Sequence, residues 1–253
     1  MVKRVIMIII SCLFSIELYA QGNLLYERNL KAYNSYLSTE FGISSNLPED
    51  FIDLDQFFVP EKVRKNSRSR VGAFYGPIFQ TRDNQCIIMY LAIPQYVSES
   101  DMEGIRMSAI ANRALKGDSS LDEPEVKTPQ YYNNVFPRAQ VTAEVKAASG
   151  LYDYNGKPLQ DSVRFNFNEH VTLITGRKVK EMFNADSIYI YDLPLQEPYK
   201  DKYTHRTGVV LAKDDRATMV FKFFFTPEGK KEEEKYIGML SQHVWYNEDF
   251  NHN

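Results

Sequence analysis

Cysteine is almost absent: Cys12 and Cys86 are the only two in 253 residues. A small scaffold stapled by disulfides needs several pairs, so toxin-like and growth-factor-like folds are excluded. Tryptophan is scarcer still, with Trp245 alone. The chain has no internal repeat and no low-complexity tract. HExxH and the Cys–His spacings of zinc sites are missing, so no metal or cofactor is implied. An excess of charge of one sign is missing too. The 30 Lys and Arg residues against 33 Asp and Glu leave a net charge of −3. That argues against nucleic acid as the main partner, which favours a strongly basic surface.

What is present begins with an export signal. Met1-Val2-Lys3-Arg4 is a short basic start, and Val5 to Ile16 is almost wholly apolar. Leu18-Tyr19-Ala20 then leads into polar Gln21. A basic start, a short apolar middle and a small residue at the cut describe a cleavable secretory signal over residues 1–20. The apolar run falls short of the roughly 20 residues that span a bilayer. A second reading is open. Ile9-Ile10-Ser11-Cys12 has the pattern of a bacterial lipoprotein site, and a lipid on Cys12 would anchor the chain to a membrane. If residues 1–20 are removed, Cys86 is the only thiol left and the balance becomes one charge more negative.

The remaining residues 21–253 have the length of one domain, or of two closely packed halves meeting near 118–134. Seventeen tyrosines and sixteen phenylalanines favour sheet and bring large burial. Leu24 to Phe41 has a helical pattern that Gly42 stops, and Ser98 to Lys116 is a capped helix with a stripe of Met102, Ile105, Ala109 and Ile110. Strands are expected at Val71–Tyr75, ending at Gly76-Pro77, at Gln85–Ile93 and at Ser187–Leu193. Val135 to Tyr154 alternates as one or two strands, and His170 to Phe183 reads as a helix. Asn155-Gly156 marks a hairpin turn. Thr207–Ala212 and Ala217–Phe225 form a second hairpin around Lys213-Asp214-Asp215-Arg216, with Met219, Phe221, Phe223 and Phe225 on one buried face. Thr226 and Pro227 then start a helix carrying Tyr236, Ile237, Leu240 and Val244. The expected class is α+β: a mostly antiparallel sheet with helices packed on its faces and the C-terminal helix over the sheet.

The phrase Phe41-Gly42-Ile43-Ser44, followed by Leu47-Pro48-Glu49-Asp50-Phe51, resembles the opening of PsbP-like proteins. There an extended strand leads into Pro-Glu-Gly and an aromatic residue; Asp50 departs from that pattern. The order of later elements is similar to that α/β/α sandwich. The resemblance implies an accessory or binding module and no particular reaction.

Chemistry-bearing residues are few. Cys86, in Gln85-Cys86-Ile87-Ile88, reads as a small buried hydrophobe. The histidines, at 170, 205, 243 and 252, form no metal pair. Lys202, His205 and Arg206 form the candidate ligand-binding stretch, a small cationic, hydrogen-bonding surface for an anion or a sugar. Lys62, Arg64, Lys65, Arg68 and Arg70 make a second basic cluster, without the aromatics that base stacking needs. Asp53 with Asp55, and Asp122, Glu123 and Glu125, are carboxylate sets of the kind glycoside hydrolysis pairs. Asp153-Tyr154-Asn155-Gly156 opens like a calcium loop but lacks its later ligands. Together these features point to an exported bacterial envelope protein, periplasmic or extracellular, acting as a non-enzymatic binding or accessory module. Its partner would be an envelope protein or a small anionic or saccharide ligand. A secreted hydrolase with a carboxylate or histidine site, and a subunit of a larger envelope complex, are the alternatives.

Overall fold

The computed structural model describes residues 29–56, 59–60, 74–115, 124–152, 156–195 and 197–250. The signal segment, the Lys62–Arg70 cluster, Asp122, Glu123, Asp153, Asn155 and His252 lie outside the described residues.

Helix α1 (Leu30–Phe41) begins where the Asn29 side chain accepts a hydrogen bond from the Ala32 amide at 2.9 Å. It ends at Gly42, whose φ of 58° lets its N–H turn back to the Leu37 and Ser38 carbonyls. Tyr33, Leu37 and Phe41 form its buried face. Strand β1 (Ile43–Ser45) follows at once and pairs antiparallel with the last strand, β10 (Val244–Tyr246).

The main sheet is built from β2 (Phe51–Asp53), β4 (Phe74–Thr81), β5 (Cys86–Leu91), β9 (Met219–Phe225), β8 (His205–Ala212), β7 (Ser187–Asp192) and β6 (Val171–Thr175), in that spatial order. Strand β3 (Val59–Pro60) also pairs with β4. Every pairing is antiparallel. The α+β class expected from the sequence is the class observed.

Strand alternation divides the core in two. On one face, Phe221, Phe223 and Phe225 pack with Tyr33, Leu37 and Phe41 of α1, with Val179 and Phe183 of α5 (Arg177–Phe183), and with Tyr236 and Ile237 of α7 (Glu233–Met239). On the other, Val220 and Phe224 pack with Val141 and Val145 of α3 (Pro129–Ser149). Burying each such apolar side chain is worth about 1.5–3 kcal/mol. The strongly aromatic strand β9 is therefore the axis of the fold: all seven of its residues are buried.

Four sequence expectations change. Residues 129–149 are a helix, not strands. His170–Phe183 is not one helix but the one-turn α4 (Phe167–His170), then β6, then α5, with Gly176 at φ 83° making the break. Strand β4 does not stop at Gly76-Pro77. It passes through a register irregularity between Tyr75 and Ile78, the kind of place where a strand tolerates proline. The C-terminal helix is interrupted. Thr226 does cap it, accepting from the Gly229 amide at 3.0 Å, but α6 (Pro227–Lys231) breaks at Glu232 and α7 gives way to a 3-10 turn. Val244 then belongs to β10. The helix expected at Ser98–Lys116 is present as a 3-10 turn followed by α2 (Met102–Leu115). None of its residues is buried, and Met107, Ile110 and Leu115 are exposed.

Arg216 ties the small β1–β10 sheet to the β8–β9 turn. Its guanidinium donates to the Phe41, Gly42 and Asn247 carbonyls at 3.0, 3.1 and 3.2 Å. The Asn247 amide in turn donates to the Gly42 carbonyl at 2.8 Å.

Candidate functional site

Strand β10 has the burial pattern in, out, in. Val244 and Tyr246 point into the core, where the Tyr246 hydroxyl donates to the Ala217 carbonyl at 2.8 Å. Trp245, the chain's one tryptophan, is therefore driven outward and is 38% exposed. It forms one wall of an open cleft of about 610 Å³. Helix α5 contributes Arg177, Lys180 and Glu181 to its lining, with Gly176 just before them. Asn184 lies at the end of that helix, Lys213 comes from the β8–β9 turn, and Glu248 follows β10.

Asn184 organises the floor. Its φ of 50° ends α5 in the left-handed region, which asparagine tolerates better than most residues. Its side-chain amide donates to the Tyr246 carbonyl at 2.6 Å, joining α5 to β10. The Lys213 ammonium donates to the Asn184 backbone carbonyl at 2.8 Å and to its side-chain oxygen at 3.1 Å. Burial pulls the Lys213 amine below the ordinary lysine value; Arg216 and Lys180 push the same way, against Asp186 and Glu248. The other two cations are paired: Arg177 with Glu181 at 2.5 Å and Lys180 with Asp186 at 4.0 Å. The cleft thus combines a flat aromatic face, an amide, two carboxylates and one ammonium held only by neutral oxygens.

A second cleft, of about 420 Å³, lies between Arg138 and Thr142 of α3 and residues 165–168. Its polar groups are largely engaged. Arg138 stacks over the Phe167 ring at 3.9 Å, and Asn166 caps α4 while donating to Glu169 at 2.7 Å.

The stretch picked out in the sequence lies elsewhere. Lys202 is exposed in the turn closed by Tyr199 and Tyr203, its ammonium 5.6 Å from the Tyr203 ring centre. His205 and Arg206 open β8 and, as successive strand residues, face opposite sides of the sheet. His205 is exposed and shares a hydrogen bond with the Thr204 hydroxyl at 2.9 Å. Arg206 is half-buried, and its carbonyl accepts from the Leu193 amide at 2.8 Å. These three residues line neither cleft. Cys86 is fully buried, and burial pushes its thiol well above the ordinary value, which disfavours the reactive thiolate. Among the described residues, no group of three or more His, Cys, Asp or Glu side chains is placed to hold a metal, and no helix is long and apolar enough to cross a membrane.

Two charged networks went unnoticed in the sequence. Lys222, 2% exposed in the middle of β9, is ion-paired to Glu144 of α3 and donates to the Tyr191 hydroxyl at 3.2 Å. That hydroxyl donates to Glu144 at 2.6 Å, and Gln140 donates to the same carboxylate at 2.6 Å. Burial pushes the Glu144 carboxyl up, but the Lys222 charge and the three hydrogen bonds outweigh it and hold the group below the ordinary glutamate value. The second network joins Lys230 to Asp192, Glu233 and Thr207 at 2.6, 2.8 and 3.0 Å. One signal was available for the first: a lysine inside Met219-Val-Phe-Lys-Phe-Phe-Phe225 has to face a core and needs a counter-charge there.

Compared with family models, curated proteins and solved structures, the chain matches none.

Proposed function

We propose that this chain is an exported bacterial envelope protein that works as a binding or accessory module, and that it takes a small anionic or saccharide ligand in the Trp245 cleft. The observation that carries the reading is the placement of Trp245. Strand alternation presents an indole on the surface beside Lys213, Asn184 and the charged side chains of α5. Ligand sites combine apolar or aromatic surface with a few convergent polar groups, in volumes of about 300–1,000 Å³. The cleft has both features. The resemblance of Phe41–Phe51 to PsbP-like proteins supports an accessory role in the same direction.

Trp245 is also the natural probe. Because the chain has no other tryptophan, indole emission reports on this cleft alone. Titrating the protein with sugars, sugar acids and inorganic anions is expected to shift that emission saturably for at least one class. A flat response across all classes would remove the cleft from the proposal. Export is tested separately, by the mass of the mature N-terminus in a bacterial host. A start at Gln21 supports a free exported protein; a lipid on Cys12 would make it membrane-anchored.

A further inference from the structure

The cleft's cations are not equivalent. Arg177 and Lys180 each have a carboxylate, in Glu181 and Asp186. Lys213 has none within 4.0 Å among the described residues and spends two of its three donors on the neutral oxygens of Asn184. It is half-buried, so its charge has given up water, and Asp186 and Glu248 act on it only from beyond ion-pair distance. One further anionic oxygen is what its environment lacks. The rest of the lining limits what carries that oxygen. Glu181 and Glu248 oppose a polyanion, and Lys213 is the one lining cation without a carboxylate within 4.0 Å among the described residues, which suits a single carboxylate better than a phosphate dianion. Trp245 offers a flat apolar face, while Asn184, Glu181 and Glu248 supply the donors and acceptors that hydroxyl groups use.

Resting on the reading of this cleft as a ligand site, we propose that its ligand is an acidic sugar, with a pyranose ring laid on the Trp245 indole and a carboxylate bound by Lys213. The same chemistry is presented by a free sugar acid and by a segment of an acidic polysaccharide, and an open cleft can take either.

The test is a Trp245 fluorescence titration of the full mature chain with galacturonic acid, trigalacturonate, the neutral cellotriose and inorganic phosphate. Trigalacturonate or galacturonic acid is expected to bind at least tenfold more tightly than cellotriose. Lys213→Met is expected to remove that preference, whereas Lys202→Ala, which takes away an exposed cation that lines neither cleft, changes it less than threefold. Circular dichroism of both variants verifies the fold, and raising the salt concentration on the unmodified protein gives a mutation-free check, because it weakens the acidic ligands selectively. Equal binding of cellotriose, or an unchanged preference in folded Lys213→Met, overturns the acidic-sugar inference and leaves the cleft standing as a site. Binding of phosphate in place of either sugar acid also overturns it. No response to any of the four overturns both the inference and the reading it rests on. Within a positive result, a trimer binding at least tenfold more tightly than the monomer identifies a polysaccharide segment, and equal binding a free sugar acid.

Discussion

Lys222 and Lys213 both lose water when the chain folds, but only one gains a carboxylate. Under α3, Lys222 meets Glu144, and the Tyr191 hydroxyl completes a closed set of partners. At the α5–β10 cleft, Lys213 meets only the two oxygens of Asn184. A lysine that holds structure together is matched by the protein itself. Lys213 is left without a carboxylate in contact, which is what the proposed ligand would supply.

The largest expected effect comes from breaking the first set. Glu144→Ala leaves Lys222 buried without its counter-charge, and removing one partner of a buried pair costs about 3–5 kcal/mol. Urea unfolding reads this as a lowered midpoint. Replacing both partners, Lys222→Met with Glu144→Leu, should recover most of the loss, because the buried charge goes with its partner. If the double variant is no more stable than Glu144→Ala, the loss does not come from the uncompensated Lys222 charge. Next in size is Gly208→Ala. A Cβ at Gly208 would lie 2.3 Å from the Tyr191 ring, so the tyrosine must move away from Glu144 and Lys222. Overpacking of this kind costs about 1–3 kcal/mol, again read by urea.

Lys213→Met is the matching test at the cleft. It removes an ammonium that has no carboxylate in contact but serves two Asn184 oxygens, so the stability loss should be about 1–2 kcal/mol, below that of Glu144→Ala. A loss comparable to Glu144→Ala would make Lys213 a structural residue and erase the contrast. The smallest effects lie in pH dependence. The Glu144 carboxyl is depressed on folding, so its contribution is fully present above the ordinary unfolded value of about 4.3 and is lost as pH falls through the lower folded value. Acid unfolding of Glu144→Gln should accordingly show a shallower slope below about pH 4 than the unmodified chain. The Lys213 amine is also depressed, which places its window at alkaline pH. Stability relative to Lys213→Met should rise as pH climbs from the lowered folded value toward the unfolded value of about 10.4. The difference between the two proteins must be read, because buried tyrosines such as Tyr33 and Tyr90, whose hydroxyls are pushed up by burial, lose stability in the same range.

The parts of the fold that were legible carried strong local patterns. Alternating phenylalanines announced β9, and Thr226-Pro227 announced α6. Helix α3 was not legible for a specific reason. Its buried face is Asn133, Pro137, Val141 and Val145, spaced by four, and half of that face is not apolar in a conventional sense. Asn133 is there because its side chain pairs with both the amide and the carbonyl of Val97, at 2.7 and 3.0 Å, as a strand would. A hydrophobic period cannot reveal a helix that buries an amide and a proline. Val244 misled in the opposite way: its spacing after Leu240 is helical, but a partner strand some 200 residues earlier decides its conformation. The cleft suffers the same non-locality, since its walls come from residues 176–184, 213 and 245–248. Lys202, His205 and Arg206 looked convergent because they are neighbours in sequence, whereas strand geometry sends His205 and Arg206 to opposite faces.

The β1–β10 pairing has a mechanical consequence. Ile43 faces Tyr246 and Ser45 faces Val244, so Gly42 and Asn247 lie at the same end of the ladder. A pull applied through those two residues opens the ladder like a zip, one rung at a time, rather than shearing all its rungs together. Arg216 sits across the mouth of that zip, holding the Phe41, Gly42 and Asn247 carbonyls at once. The first yield under tension is therefore set by that guanidinium together with the Asn247–Gly42 hydrogen bond, and their release would begin to part β10, and with it Trp245, from β1 while the seven-stranded path of the main sheet still holds.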